Sequence, residues 1–210
     1  MRIVRRERSP DRIRELRAQI VGVIGPTGAA GRVCGAHCTA RCPQCGSTAC
    51  HCRCSPQCAE APQALSSEPD HYPIEPAILP LVFEMKRLGL FDPCWSCEGH
   101  LGPDGALWKL PRVWFYCDSM VHLRLLSDLL DDLELSGKLG VHWQVVVTFS
   151  NADNPCTTFS LEPVPPSARD FLLPAMQKDV LVIARSLAAT IADRAEKLLS
   201  AAEEAPASDR

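Results

Sequence analysis

Twelve cysteines stand in the 210 residues of this chain, and eight of them fall between Cys34 and Cys58. Their order is Cys34-x3-Cys38-x3-Cys42-x2-Cys45-x4-Cys50-x-Cys52-x-Cys54-x3-Cys58, with His37 and His51 among them. Cys42-Pro43-Gln44-Cys45-Gly46 is a knuckle, in which the two-residue gap lets two thiolates grip one ion and the glycine relieves the turn. Eight thiolates suit about two tetrahedral zinc ions, and that total of about −4 is offset by Arg32, Arg41 and Arg53. The segment carries almost no large apolar side chain, so its order has to come from metal. A site so rich in thiolate reads as closed and structural, because a catalytic zinc keeps one position open.

A second group follows. Cys94-x2-Cys97-x2-His100, with Cys117 at the end of the next apolar run, could supply the four donors of a Cys3His zinc site if a hairpin returned Cys117 to the same place. The same residues admit two other readings. Cys94, Cys97 and Cys117 could be small buried apolar residues, or Cys97 could be a nucleophile with His100 and Glu98 as its polar neighbours and Gly99 allowing a tight loop. Trp95, Trp108 and Trp114 either line an apolar pocket beside that loop or belong to the core.

Composition limits the function classes. The chain is 46% hydrophobic and 22% charged, which suits one globular domain with appendages. The apolar run Ile20–Ile24 is too short for a signal peptide, and no stretch approaches the roughly 20 apolar residues of a membrane span. A cytoplasmic, reducing compartment is expected, where clustered thiols serve as ligands more often than as disulfides. Seven arginines within residues 1–17 face Glu7, Asp11 and Glu15, a local charge of +4, so the overall −3 leaves −7 on the rest. An acidic body argues against a broad nucleic-acid face, and only the Arg-rich arm is a candidate for contacts with nucleic acid or a protein partner.

The elements that must position these groups follow from local signals. Residues 1–31 read as a basic arm, with Ser9 capping a short helix that begins at Pro10 and runs to about Ile20, then a glycine-rich joint. Gly25-x2-Gly28-x2-Gly31 lacks the helix and the acid that a dinucleotide-binding turn requires. Residues 32–58 form the metal segment, 59–75 a Pro-rich linker, 76–202 an α+β domain and 203–210 a disordered tail. Within the domain, Pro80 starts a helix that Gly89 stops, and a loop carries Cys94 to His100. A turn at Gly102–Gly105 precedes a strand from Trp108 to Cys117, with Pro111 marking an edge or a bulge. Leu123, Leu126, Leu130 and Leu133 stripe a helix that ends at Gly137. Val141–Phe149 is a core strand, Thr158–Leu161 its hairpin partner, and Ser167-x2-Asp170 the start of a long last helix. The fold class is α+β, a sheet of about three strands with helices on one face, preceded by a Cys-rich segment of little regular structure.

Three resemblances rest on short motifs. Cys38-x3-Cys42-x2-Cys45 resembles the cluster-ligand spacing of radical S-adenosylmethionine enzymes, which implies an iron–sulfur alternative to zinc, although Gln44 stands where that family prefers an aromatic residue. Ser96-Cys97-Glu98-Gly99-His100 with Pro111-Arg112-Val113-Trp114-Phe115 resembles small uncharacterised bacterial and phage domains, over about 25 residues. The same loop is similar to the Ser-Cys-x-Gly loop of the wybutosine-synthesis methyltransferase family, with His100 where that family tends to have arginine. These likenesses imply a functional loop, with a ligand pocket on the α+β domain. The leading expectation is a zinc-bearing interaction protein of no enzymatic activity, and the alternative is an enzyme or ligand-binding domain with its site at Ser96 to His100.

Overall fold

The computed structural model describes residues 9–24, 65–68, 70–148, 157–164 and 173–204. The cysteine array Cys34–Cys58, the glycine-rich joint, residues 59–64 and 69 of the Pro-rich linker, the turn at 151–155, the capping box at Ser167 to Asp170 and the last six residues lie outside the described residues.

Helix α1 spans Pro10–Ile24, four residues further than expected. Ser9 Oγ accepts the Arg12 N–H at 3.3 Å, which satisfies one of the free amides of the first turn. The helix docks on the domain through Val23, which is fully buried in its core, so the arm is tied to the body at this helix. Helix α2, Leu79–Leu88, has Pro80 in its first turn and ends on Gly89 at φ 63°, the left-handed cap that glycine adopts without a Cβ penalty.

Strands β1 (Asp92–Leu101) and β2 (Leu107–Tyr116) form an antiparallel hairpin. Its turn is closed by Gly102 N–H donating to Ala106 O at 2.7 Å and Gly105 N–H donating to Gly102 O at 2.9 Å. The expected loop from Cys94 to His100 is therefore a strand. Its Pro93, Cys94, Glu98 and Gly99 carry weak β preference, and an extra residue at Cys94 breaks the alternation that would have revealed it. Pro111 pairs with Glu98 of β1 on one side, and β4 reaches β2 only from Val113 onward, so the missing proline N–H removes no bond to β4.

Helix α3, Met120–Leu135, is capped by Ser119, whose hydroxyl accepts the Val121 N–H at 3.1 Å. It ends in a Schellman turn, with Gly137 N–H bonded to Glu134 O and Lys138 N–H to Leu133 O. Strands β3 (Trp143–Thr148) and β4 (Thr158–Pro163) pair antiparallel, and helix α4 runs over Leu173–Glu204. The sheet has four strands in the order β1-β2-β4-β3. Val141–Phe149, expected as a core strand, begins two residues later and lies at the sheet edge, with Val147 exposed.

Val113 and Phe115 of β2 and Phe159 and Leu161 of β4 share the buried face, where they meet the helices. Phe115 packs edge-on against Phe91 at 5.4 Å between ring centres. From α4, Met176, Val180, Ile183, Leu187, Ile191 and Ala195 are all fully buried, a stripe at helical spacing that spans the core. No helix among the described residues is long and apolar enough to cross a membrane.

One buried carboxylate ties α4 to the turn before β3. Asp179 accepts the Gly140 N–H at 2.9 and 3.0 Å on its two oxygens, the Val141 N–H at 3.1 Å and the Trp143 indole N–H at 3.1 Å. Removing it leaves three donors without their partner, two of them, the Val141 N–H and the Trp143 indole N–H, in a buried site. Asp179→Ala is expected to lower unfolding stability by about 3 kcal/mol in a urea titration followed by tryptophan fluorescence. A loss under about 1 kcal/mol would show that water replaces the carboxylate there.

Candidate functional site

The described residues bring one mixed donor group together: Glu75, Cys97 and His100. One ligand atom of each lies within 4.8 Å of the others. Two come from β1 and the third from the strap that leads into α2.

The strap is held by its own backbone. Glu75 O accepts the Leu79 N–H at 3.0 Å in the turn that opens α2. The Glu75 side chain then reaches the edge of β1, where Oε2 accepts the Glu98 N–H at 2.7 Å. Glu98 reciprocates, its Oε2 accepting the Ala77 N–H at 2.8 Å. Gln177 Nε2 donates to Glu98 O at 3.1 Å and fastens the same strand to α4. Edge strands present unpaired amides, and here a carboxylate clasp satisfies one of them.

Glu75 Oε1 is left free of the clasp and stands 3.0 Å from His100 Nε2. Cys97 and His100, three apart, would point to opposite faces of a regular strand. Gly99, at φ +85°, breaks that alternation. A Cβ there would lie 2.5 Å from Leu173 Cδ1 and 2.9 Å from Pro111 Cδ, so the position excludes any side chain. The Gly99 N–H also donates to Cys97 Sγ at 3.4 Å.

Cys97 is 4% exposed, whereas the side chains of His100 and Glu75 are 35% and 34% exposed. Burial pushes the Cys97 thiol pKa up, and the Glu75 charge adds to this, while the Gly99 N–H, Lys109 and Arg112 pull it down. Without metal the thiol is protonated and shielded, unlike the exposed, electropositive thiol of a catalytic cysteine. A bound cation would reverse that balance. Glu98, the third catalytic candidate, spends its carboxylate on the Ala77 N–H and so stands in the clasp.

The structure does not gather the four donors of the expected Cys3His site. Cys97 faces Arg112 across the hairpin, while Cys117 follows Tyr116, the partner of Asp92. Five residues of strand put Cys117 about 16 Å further along the sheet. Its thiol donates to Ser119 O at 3.3 Å. Cys94 sits exposed at the bulge. Only the Cys97 and His100 half of that site comes together, and Glu75, 22 residues upstream of Cys97, supplies the donor that spacing concealed. None of the three tryptophans near the strand is in the buried core. Trp95 and Trp114 contact each other at 4.9 Å, and Trp108 is exposed beside His100.

Tetrahedral zinc, with bonds of about 2.0–2.3 Å, holds its donors about 3.3–3.8 Å apart. The three side chains therefore need to close by about an ångström at their widest, and His100 and Glu75 need to part slightly to admit the ion. Imidazole, thiolate and carboxylate are all zinc ligands.

Comparison of the chain with protein-family models, with curated proteins and with solved structures finds no match.

Two outcomes test this geometry. Gly99→Ala is expected to cost about 2–3 kcal/mol of stability, because strain at positive φ adds to the clash with Pro111 and Leu173; a loss below about 0.5 kcal/mol would contradict the close approach. Alkylation of metal-free folded protein at mild alkaline pH, read by peptide mapping, is expected to label Cys94 before Cys117 and Cys97 last. Early labelling of Cys97 would contradict its burial.

Proposed function

We propose that this chain is a zinc-binding protein in which a Cys-rich segment, Cys34 to Cys58, holds about two ions and presents a surface to a partner, while the α+β domain anchors it. The observation that carries the reading is the convergence of Glu75, Cys97 and His100 within 4.8 Å. A third ion belongs there. Eight cysteines in 25 residues with few apolar neighbours support the array independently. Partner contact falls to the array and to the Arg-rich arm, since the arm carries the one concentration of positive charge in an otherwise acidic chain.

A second reading has a specific observation behind it. Three donors rather than four, two of them a third exposed, leave room at the ion for a substrate or ligand. An enzyme or ligand-binding domain would then centre on Cys97 and His100, with Glu75 in place of the expected Cys94 and Cys117.

Plasma mass spectrometry on protein purified without added metal is expected to find about three zinc ions per chain. Cys97→Ser is expected to remove about one, and serine at the eight array cysteines about two. Less than one equivalent of zinc in fresh wild-type protein would sink the proposal, and iron in its place would favour the cluster alternative.

A further inference from the structure

Resting on the zinc reading of Glu75, Cys97 and His100, we infer that the ion's fourth position is open and takes the carboxylate of a small aromatic acid. Among the described residues no other cysteine or histidine joins the group, so those residues close three corners of the tetrahedron. The open corner faces outward. Cys97 is buried, but His100 and Glu75 each keep about a third of their side chains in solvent (35% and 34%), which places the approach to the ion on their side.

An anion suits the site once Lys109 is counted with it, since the ion and its ligands are neutral by themselves. Glu75 and Cys97 as thiolate neutralise Zn²⁺ with His100 neutral, so a bound carboxylate would leave one uncompensated negative charge. Lys109 lies opposite His100 in the hairpin register, and Arg112 opposite Cys97. Arg112 already shares its charge with Glu162 at 3.7 Å, which leaves Lys109 as the compensating cation.

The rim selects an aromatic body. Trp108 is 68% exposed, the largest exposure of any tryptophan in the described structure, and its ring centre is 6.5 Å from that of His100. It is the residue bulged out of β2, between Leu107 and Lys109 in the register. Lys109 Nζ stands 4.4 Å from the centre of the Trp108 ring, so one face of the indole is already paired with a cation. The ring offers apolar area to a ligand whose carboxylate reaches the ion, with the Lys109 ammonium on the rim beside it. Binding exchanges a zinc-bound water for one carboxylate oxygen, and no bond of the ligand breaks.

Isothermal titration calorimetry of the zinc-loaded full chain, with benzoate as the probe and acetate as its comparator, tests this. Benzoate is expected to bind at one site more tightly than acetate, and to lose its heat when zinc is removed by a chelator. His100→Ala and Cys97→Ser, each expected to lose one zinc, are expected to weaken benzoate by more than about tenfold. Trp108→Ala changes an exposed side chain remote from the core, and is expected to keep its zinc and weaken benzoate by about fivefold, with acetate unchanged. Loss of zinc on Cys97→Ser without any benzoate heat in the wild type would overturn the inference and leave the zinc reading standing. Benzoate heat that survives chelation would overturn it too, by moving the ligand off the ion. An unchanged zinc count in both Cys97→Ser and His100→Ala would overturn the zinc reading at this site and the inference with it.

Discussion

Strand β1 is an edge strand rich in residues that do not favour strands, paired on one side with β2 and clasped on the other by two carboxylates. Glu75 Oε2 takes the Glu98 N–H and Glu98 Oε2 takes the Ala77 N–H, at 2.7 and 2.8 Å. Each bond joins a charged acceptor to a backbone donor, the class worth about twice a neutral pair. The clasp sets where the strap runs, and so where α2 begins, and it leaves Glu75 Oε1 beside His100. The structural task and the chemical opportunity are thus shared by the two oxygens of one side chain.

The other supports of the site act on the same strand. Gln177 holds the Glu98 carbonyl from α4, and Gly99 brings Cys97 and His100 to one side at the cost of admitting no side chain of its own. The fully buried stripe of α4 from Met176 to Ala195 fixes the helix that carries Gln177, and Asp179 locks that helix to the turn before β3. Rigid elements on both sides are what a preorganised donor set needs, since metal ligands placed loosely lose affinity to the cost of ordering them. The groups that would respond to a cation are the buried thiol and its neighbours, where burial opposes the thiolate and the Gly99 N–H, Lys109 and Arg112 favour it.

Much of the fold was legible in the sequence because its signals are local. Ser9 with Pro10, Pro80 with Gly89, Gly137 after the leucine stripe and the glycines of the 102–105 turn each act within one helical turn or one tight turn. Strand β1 was not legible, because a bulge at Cys94 and a positive φ at Gly99 erase the period of two by which strands are recognised. The site was half legible. Cys97 and His100 announce themselves by type and spacing, whereas Cys94 shares the spacing but sits at the bulge, and Cys117 is carried away by the register of the hairpin. Glu75 gave no signal at all, since an acid before a helix is ordinary and its partners lie 22 and 25 residues on. The array from Cys34 to Cys58 stands on its composition alone, outside the described residues.

An anomalous difference map from crystals of the zinc-loaded chain, recorded at the zinc absorption edge, tests the central claim most directly. The account predicts a peak about 2.3 Å from Cys97 Sγ and about 2.0–2.2 Å from one nitrogen of His100 and one oxygen of Glu75, with a fourth, non-protein neighbour. A map with zinc elsewhere in the chain and none at this site, with His100 still 3.0 Å from Glu75, would contradict it.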